Sequence, residues 1–406
     1  MSWRIAAALA GIAAVTHGAE PASAPAVRWT ADRAPDFRHR FIERVQTTKL
    51  LHATPETGTF NLHGHLAFFD GVLFVCWDSQ ARDENAPGQH TVYRRSSDRG
   101  ETWSDVADLF PPLCANVPLA ESRGRGPFQT SQGFAEIDGR LYAVSCVDRS
   151  LKEKVQRFNE VSRERVGFLA REVHADGTLG AIFWLAAAAS QPEPGFPAYP
   201  AGDPALVARI TGHFREPAHL PQLLFGPHEH PDSADAHRLT EPTQPWRLAD
   251  GTWLRLYRDQ GAAAATSRDD IEASKRRRFY AAWSRDDGVT WAPAVPTDIP
   301  DSAARAHSGR LPDGQVFLIH NPLPIPPGKG GRTMLSISLS RDGLHFDRTA
   351  ILRFVPPPQR FEGKAKSIGY MYPHAVVVGD VLVVIYAINK EDIEIARIPL
   401  EELATL

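Results

Sequence analysis

The chain has 406 residues, 43% of them hydrophobic and 23% charged, and a formal net charge of −3. That composition is ordinary for a soluble globular protein, and a near-neutral balance leaves no basic field to hold nucleic acid. The one dense basic run, Lys275-Arg276-Arg277-Arg278, leads straight into an apolar strand and reads as a solvated rim.

The N-terminus reads as a signal peptide over residues 1–24. Arg4 supplies the positive start, Ile5 to Val15 is an Ala-rich apolar run, and small residues follow at Gly18, Ala19 and Ala22-Ser23-Ala24. The run is too short to span a bilayer comfortably, and no second stretch reaches membrane length. The expectation is a secreted or periplasmic protein, monomeric, with residues 25–406 as a single domain. Cys76, Cys114 and Cys146 are odd in number and scattered, which argues against a disulfide framework and a zinc site. Cys76 and Cys146 end apolar runs and read as buried thiols.

Residues 25–60 are irregular, with one short helix predicted near Phe37 to Gln46. A series of similar units follows. Each has a two-residue Asp/Gly turn and a hydrophobic strand that ends in a polar residue. The turns are Asp70-Gly71, Asp138-Gly139, Asp250-Gly251, Asp313-Gly314 and Gly379-Asp380, with a weaker copy at Asp176-Gly177. Such dipeptides join antiparallel strands. The clear intervals are 68 residues from Gly71 to Gly139, 63 from Gly251 to Gly314 and 65 from Gly314 to Gly379. Each unit has room for four short strands. Such a sheet cannot bury both faces alone, but stacking around an axis lets it do so. The fold predicted is all-β, a β-propeller of four-stranded antiparallel blades, six in number with seven as the alternative. Ala186 to Leu220, rich in Pro, Gly and Ala, reads as a long surface insertion.

Two octapeptides repeat between strands: Ser96-Ser97-Asp98-Arg99-Gly100-Glu101-Thr102-Trp103 and Ser284-Arg285-Asp286-Asp287-Gly288-Val289-Thr290-Trp291. A shortened copy runs from Ser340 to Phe346 around Asp342 and Gly343. The aspartate can accept hydrogen bonds from backbone N–H groups of the turn, and the glycine can take φ > 0. This S-x-D-x-G-x-T-W pattern resembles the Asp-box, or BNR repeat, of the sialidase superfamily. Thr240-Glu241-Pro242, the segment Asp250 to Arg258, Leu311 to Gly314, Gly331-Arg332 and Gly369 to His374 are also similar to that family, so the resemblance covers residues 60–400. It implies that Asp98, Asp286 and Asp342 fasten blades and carry no chemistry.

In the family, a triad of arginines binds a substrate carboxylate, a glutamate-activated tyrosine is the nucleophile, and an aspartate is the acid/base. Carried over by motif, Arg258 and Arg332 are carboxylate-binding arginines, Glu241 is the glutamate, and Tyr372 or Tyr370 is the tyrosine. A guanidinium suits a carboxylate because its planar fork bonds both oxygens. A salt bridge at a blade edge is the bland alternative for the arginines, and a core aromatic for the tyrosine.

One departure stands out. The family's first-blade F-R-I-P-like motif, which supplies the third arginine, is missing. The region reads Phe60-Asn61-Leu62-His63-Gly64-His65-Leu66. On a regular strand His63 and His65 share a face. With His307 and His374 they suggest an acid/base site working near neutral pH. That sub-pattern is similar to ulvan-lyase and rhamnosidase-like propellers of the same superfamily. A structural pair of histidines is the plain alternative. Zinc would need a third ligand that is not evident, and His228, His230 and His237 lie in a Pro-flanked loop.

The leading expectation is a cofactor-free exo-glycosidase acting on an acidic glycan. Glu241, Tyr372, His63 and His65 are the catalytic candidates, and Arg258, Arg332, His374 and His307 bind substrate. The alternatives are a lyase or uronate-directed glycosidase using His63 or His65, and a non-catalytic glycan-binding propeller.

Overall fold

The computed structural model describes residues 24–29, 40–118, 120–121, 126–150, 163–187, 198–216, 229–230, 237–262, 277–324 and 330–406. Of the signal segment expected over residues 1–24, residues 1–23 lie outside them. Three strands precede the first blade: β1 (Arg28–Trp29), β2 (Arg40–Phe41) and β3 (Gln46–Leu51). Residues 40–46 therefore hold strand and bend rather than the expected helix, whose first residues, 37–39, are not described.

Blade one is β4 (Phe60–Phe69), β5 (Val72–Gln80), β6 (His90–Ser96) and β7 (Ala107–Phe110). Blade two is β8 (Gly126–Ile137), β9 (Arg140–Ser150), β10 (Arg163–Val173) and β11 (Phe183–Ala187), followed by helix α1 (Pro204–His213). Blade three is built from β12 (Glu229–His230), β13 (His237–Thr240), β14 (Trp246–Arg247), β15 (Trp253–Ala262), β16 (Arg278–Ser284) and β17 (Val295–Pro300). Blade four is β18 (His307–Arg310), β19 (Val316–His320), β20 (Met334–Ser340) and β21 (His345–Phe354). Blade five is β22 (Tyr370–Val378), β23 (Val381–Ile388) and β24 (Asp392–Pro399), and the chain ends in α2 (Leu400–Ala404). The last blade takes its outermost strand from the N-terminal side, because β3 pairs antiparallel with β24. β1 and β2 run parallel to β21 on the outside of blade four.

The described residues form five sheets, which corrects the expected six or seven blades. The five strong Asp/Gly turns each join the innermost strand of a blade to the next. The weak copy at Asp176-Gly177 lies between β10 and β11, at the outer edge of blade two, and starts no new blade. Apolar clusters seal blade two to one (Leu141 and Val147 with Phe74), one to five (Leu62 and Trp77 with Met371 and Ile385), five to four (Leu382 and Tyr386 with Ile337) and four to three (Val316 and Leu318 with Leu254). Among the described residues no cluster joins blade two to blade three. There, α1 covers the free face of blade two.

Asp203 caps the helix by accepting from Leu206 N at 2.9 Å, and Ile210 and Phe214 pack on Ala135, Tyr142 and Phe168. Ten residues are marginal as an isolated helix, so this packing, about 2 kcal/mol per buried large side chain, holds it. The expected surface insertion thus contains a packed helix in the place where a further blade would stack.

The repeated turns form one fastener. Asp286 Oδ1 accepts from Thr290 N at 2.9 Å and from Ser284 Oγ at 2.7 Å, Oδ2 accepts from Thr290 Oγ1 at 2.5 Å, and Trp291 Nε1 donates to Gly288 O at 3.1 Å. Around Asp98 the same four bonds measure 2.9, 2.7, 2.5 and 3.1 Å. At Asp342 the ring of His345 takes the place of the threonine, with Nδ1 2.6 Å from Oδ2. All three turns join the third and fourth strands of a blade, away from the axis. Their bonds hold the three carboxyls below the usual range, Asp286 down to about 2, with the hydroxyl of Thr290 the main cause there.

Candidate functional site

Besides the residues of its hairpin turn, every blade has a left-handed residue at or near its innermost strand. These are His63 (φ 56°), Gly133 (φ 86°), Glu241 (φ 48°), Ala303 (φ 54°) and Tyr372 (φ 58°). Four of them are not glycine, and each costs about 1–3 kcal/mol of backbone strain. On β4, β8 and β22 a register shift accompanies the residue, between Leu62 and His65, Ser131 and Gly133, and Met371 and His374. In blade three, β13 and β14 pair with opposite halves of β15, leaving Glu241-Pro242 in the break between them. These irregularities interrupt the in-and-out alternation of the strands. His63, Glu241 and Tyr372, from three blades, meet in one group, which only the central axis can hold.

Tyr372 is at the centre of that group. The guanidinium carbons of Arg258, Arg305 and Arg332 lie 5.8, 5.2 and 5.5 Å from its ring centroid, and Lys390 Nζ lies at 6.0 Å. Arg258 donates from Nη1 to Tyr372 Oη at 3.1 Å, from Nη2 to Glu241 Oε1 at 2.7 Å and from Nε to Thr240 Oγ1 at 3.0 Å. Burial alone would lower this guanidinium, but Glu241 and Tyr372 beside it hold it above its ordinary value. Arg332 donates from Nη2 to Ala303 O at 2.8 Å, and burial pushes it down. Arg305 forms an ion pair with Glu241 Oε2 at 3.6 Å, too long for a hydrogen bond.

Arg305 Nε and Nη2 and Arg332 Nε are buried with no hydrogen-bond partner, and the two residues are only 2% and 5% exposed. Buried donors left unmade are costly, and guanidinium groups clustered on one ring repel each other. Four cations face Glu241 and Glu84, the latter paired with Lys390, while the further carboxyls beside Arg305 and Arg258, Asp78 and Asp301, are pushed up by burial toward their neutral form. The group therefore has donors and charge to spare for an anion.

His63 adds a proton-handling pair. Its Nδ1 lies 2.8 Å from Asp78 Oδ2, and its ring centroid is 5.3 Å from that of Tyr372. Asp78 is fixed by the amide of Ser131, which donates to Oδ1 at 2.7 Å. Burial pushes the Asp78 carboxyl well up and the His63 imidazole well down, so the two share one proton.

The sequence expectation of one histidine group does not survive this geometry. The left-handed turn at His63 separates it from His65, which packs instead on His374, centroids 5.3 Å apart. His374 in turn packs on His307 at 4.4 Å. These three form a separate layer without the arginines. Of the two tyrosines, Tyr370 packs in the core against Tyr386, leaving Tyr372. His237 bonds Asp259 at 2.9 Å from β13, and His228 and the side chain of His230 lie outside the described residues. Sequence reasoning missed Arg305, Asp78, Glu84 and Lys390. Two signals were available: Arg305 alternates with His307, and Asp78 is the polar end of an otherwise apolar strand.

Behind Arg258, the fully buried Asp301 accepts from the amide of Asp259 at 2.8 Å, and burial pushes its carboxyl up to about 7. Unfolded, the group ionises near 3.8. Between those values the folded state binds the extra proton, so stability falls as pH rises and the loss is complete above pH 7. Asp301→Asn should therefore leave Tm unchanged near pH 4 and raise it by several degrees at pH 8. Thermal melts at both pH values check this, and an equal shift at each would contradict it.

Among known families, one described as a BNR repeat-like domain matches residues 237–385, and one described as a BT_1020-like N-terminal β-propeller matches residues 38–211. No curated protein matches the sequence. Among solved structures, one titled sialidase aligns with a TM-score of 0.69 at 22% identity, over 92% of this chain and 35% of its own. Trypanosoma rangeli sialidase aligns at 0.53 and 12% identity, over 89% and 60%, and a leech intramolecular trans-sialidase at 0.51 and 11%, over 89% and 71%. The chain thus spans about a third of the first relative's length. At such identities the likeness concerns the fold. Four-stranded blades around an axis, Asp-box fasteners and the two family matches together support a sialidase-like BNR propeller.

Proposed function

We propose that the chain is an exo-acting glycosidase that releases a terminal acidic sugar from a glycan. The observation that carries this is the set of buried guanidinium donors on Arg305 and Arg332 that lack hydrogen-bond partners and lie against the ring of Tyr372. A carboxylate entering there would satisfy the donors and offset the cation surplus. The sugar's anomeric carbon would then face Tyr372 Oη as nucleophile; the glycosidic C–O bond breaks as the bond to Oη forms, the aglycone leaves as an alcohol, and water then releases the sugar and restores the phenol. Glu241 is held by Arg258, so His63, backed by Asp78, is the group that takes the phenolic proton. Trypanosoma rangeli sialidase, titled as a covalent intermediate with 2,3-difluorosialic acid, supplies the analogy for a glycosyl–enzyme step. The single domain over residues 25–406, its monomeric state and its secretion belong to this proposal, on the N-terminal sequence. No helix among the described residues is long and apolar enough to cross a membrane.

The test is to incubate the protein with sialosides and other glycans capped by acidic sugars, and with fluorinated acidic sugars, and to look by mass spectrometry for an adduct on Tyr372. Released acidic sugar with that adduct is the expected result. Neither, in a protein that still binds the glycan, would leave a binding module.

A second reading is favoured by one observation. A buried pair, His63 on β4 with Asp78 on the neighbouring β5, stands where a sialidase would have its first arginine. In a uronate lyase the same pair would remove the proton beside the carboxylate. An unsaturated product, seen by its ultraviolet absorbance, would decide for that chemistry.

A further inference from the structure

Next to the arginine layer, along the inner strands, lies a cavity of about 180 Å³, lined from all five blades and α1. Three of its walls are His65, His307 and His374. Each lies two residues beyond a member of that layer, after His63, Arg305 and Tyr372 respectively. Gly133 permits the approach of His65, since a Cβ at that position would lie 3.0 Å from His65 Nδ1.

The hydrogen bonds of these histidines assign their protons. His307 donates from Nε2 to Ala375 O at 3.1 Å, which leaves a lone pair on Nδ1. His374 accepts the amide of Leu66 on Nδ1 at 3.3 Å, so its proton is on Nε2. His65 donates to the backbone of Ser131, and its Nε2 is buried without a partner in a residue only 8% exposed. The cavity thus meets two lone pairs and one donor.

That set does not suit a metal ion, which would need the lone pair His374 has already committed. Among the described residues no group of three or more His, Cys, Asp and Glu is placed to hold one. An anion does not fit either. Burial keeps the imidazoles neutral, His65 at about 3, His307 at about 4 and His374 well below its ordinary value. Hydroxyl groups both donate and accept, and so match the set. The rings of Phe134 and Phe214 add apolar wall for the C–H face of a sugar, and Gln132 and Gln244 add amides.

We propose that this cavity is a second carbohydrate site, which takes one neutral hydroxylated sugar residue independently of the arginine layer. The experiment is calorimetric titration of the full chain with neutral monosaccharides such as galactose, glucose and rhamnose, and with an acidic sugar. The variants are Phe214→Ala, Gln244→Ala and Arg305→Met, each checked by its melting curve.

At least one neutral sugar should bind saturably. Phe214→Ala should weaken it about tenfold through lost ring contact, and Gln244→Ala should do so with no disturbance of the core under α1. Both variants should bind the acidic sugar as the parent does, while Arg305→Met should lose the acidic sugar and keep the neutral one. Absence of saturable neutral-sugar binding, which leaves a cavity that holds only water, overturns the proposal. So does neutral binding that vanishes in Arg305→Met or persists unchanged in both Phe214→Ala and Gln244→Ala.

Discussion

Arg305→Met is expected to weaken binding of an acidic sugar roughly a hundredfold, corresponding to about 3 kcal/mol for a charge-assisted pair in a desolvated site. Arg305 is 2% exposed, and two of its guanidinium nitrogens have no hydrogen-bond partner. Methionine keeps much of the apolar stem and removes the charge, so repulsion with Arg258 and Arg332 around Tyr372 is relieved. The melting temperature should therefore hold or rise while affinity falls. That combination separates a ligand-binding arginine from a structural one, whose removal would lower both. Arg258 cannot serve in the same test, because it is bonded to Glu241 at 2.7 Å and its loss would strand a carboxylate. Calorimetric titration with an acidic monosaccharide, beside a thermal melt, reads both quantities. An affinity loss below about threefold, under 1 kcal/mol, would sink the clamp.

Arg305 also shows where the sequence stops being legible. The fasteners at Asp98, Asp286 and Asp342 are local, since every bond that defines them spans at most four residues. They could be read directly, and so could the hairpins. Blade number was harder, because Asp176-Gly177 imitates an inner hairpin in composition while standing at an outer one. Its carboxylate accepts from Thr178 N at 2.8 Å, an abbreviated form of the Asp-box bonds. The packing of α1 through Ile210 and Phe214 depends on contacts with Ala135 and Phe168, far away in sequence, and no local pattern announces it.

The site was half legible for a similar reason. Arg258, Arg332, Glu241 and Tyr372 lie in motifs that resemble the family's, and the structure brings all four within one group. Arg305 and Asp78 lie in no such motif. They meet Tyr372 and His63 beside left-handed residues, Ala303 in the segment between β17 and β18 and His63 within β4. Strict alternation put His63 and His65 on one face. The backbone at His63 overrides it, and the two histidines join different layers.

The same local turn makes the His63–Asp78 pair the second strong test. Asp78→Asn keeps an oxygen for the amide of Ser131, but it places an NH2 against His63 Nδ1 where a carboxylate stood 2.8 Å away. That donor pins the lone pair of Nδ1 and moves the imidazole proton to Nε2, where the base function would be needed. The expected result is a fall in kcat of about 10²–10⁴, the usual worth of a positioned acid/base, with little change in KM. His63→Ala should fall by a comparable factor, and the double variant by no more than either alone, because the two act as a unit. The pH profile adds a readout that a structural role would not give. Burial holds His63 well below 6.5, so the acid limb of kcat/KM in the parent should lie below that value. An acid limb at or above 6.5, or singles whose losses multiply in the double variant, would remove the pair from the proton path and leave Tyr372 without its base.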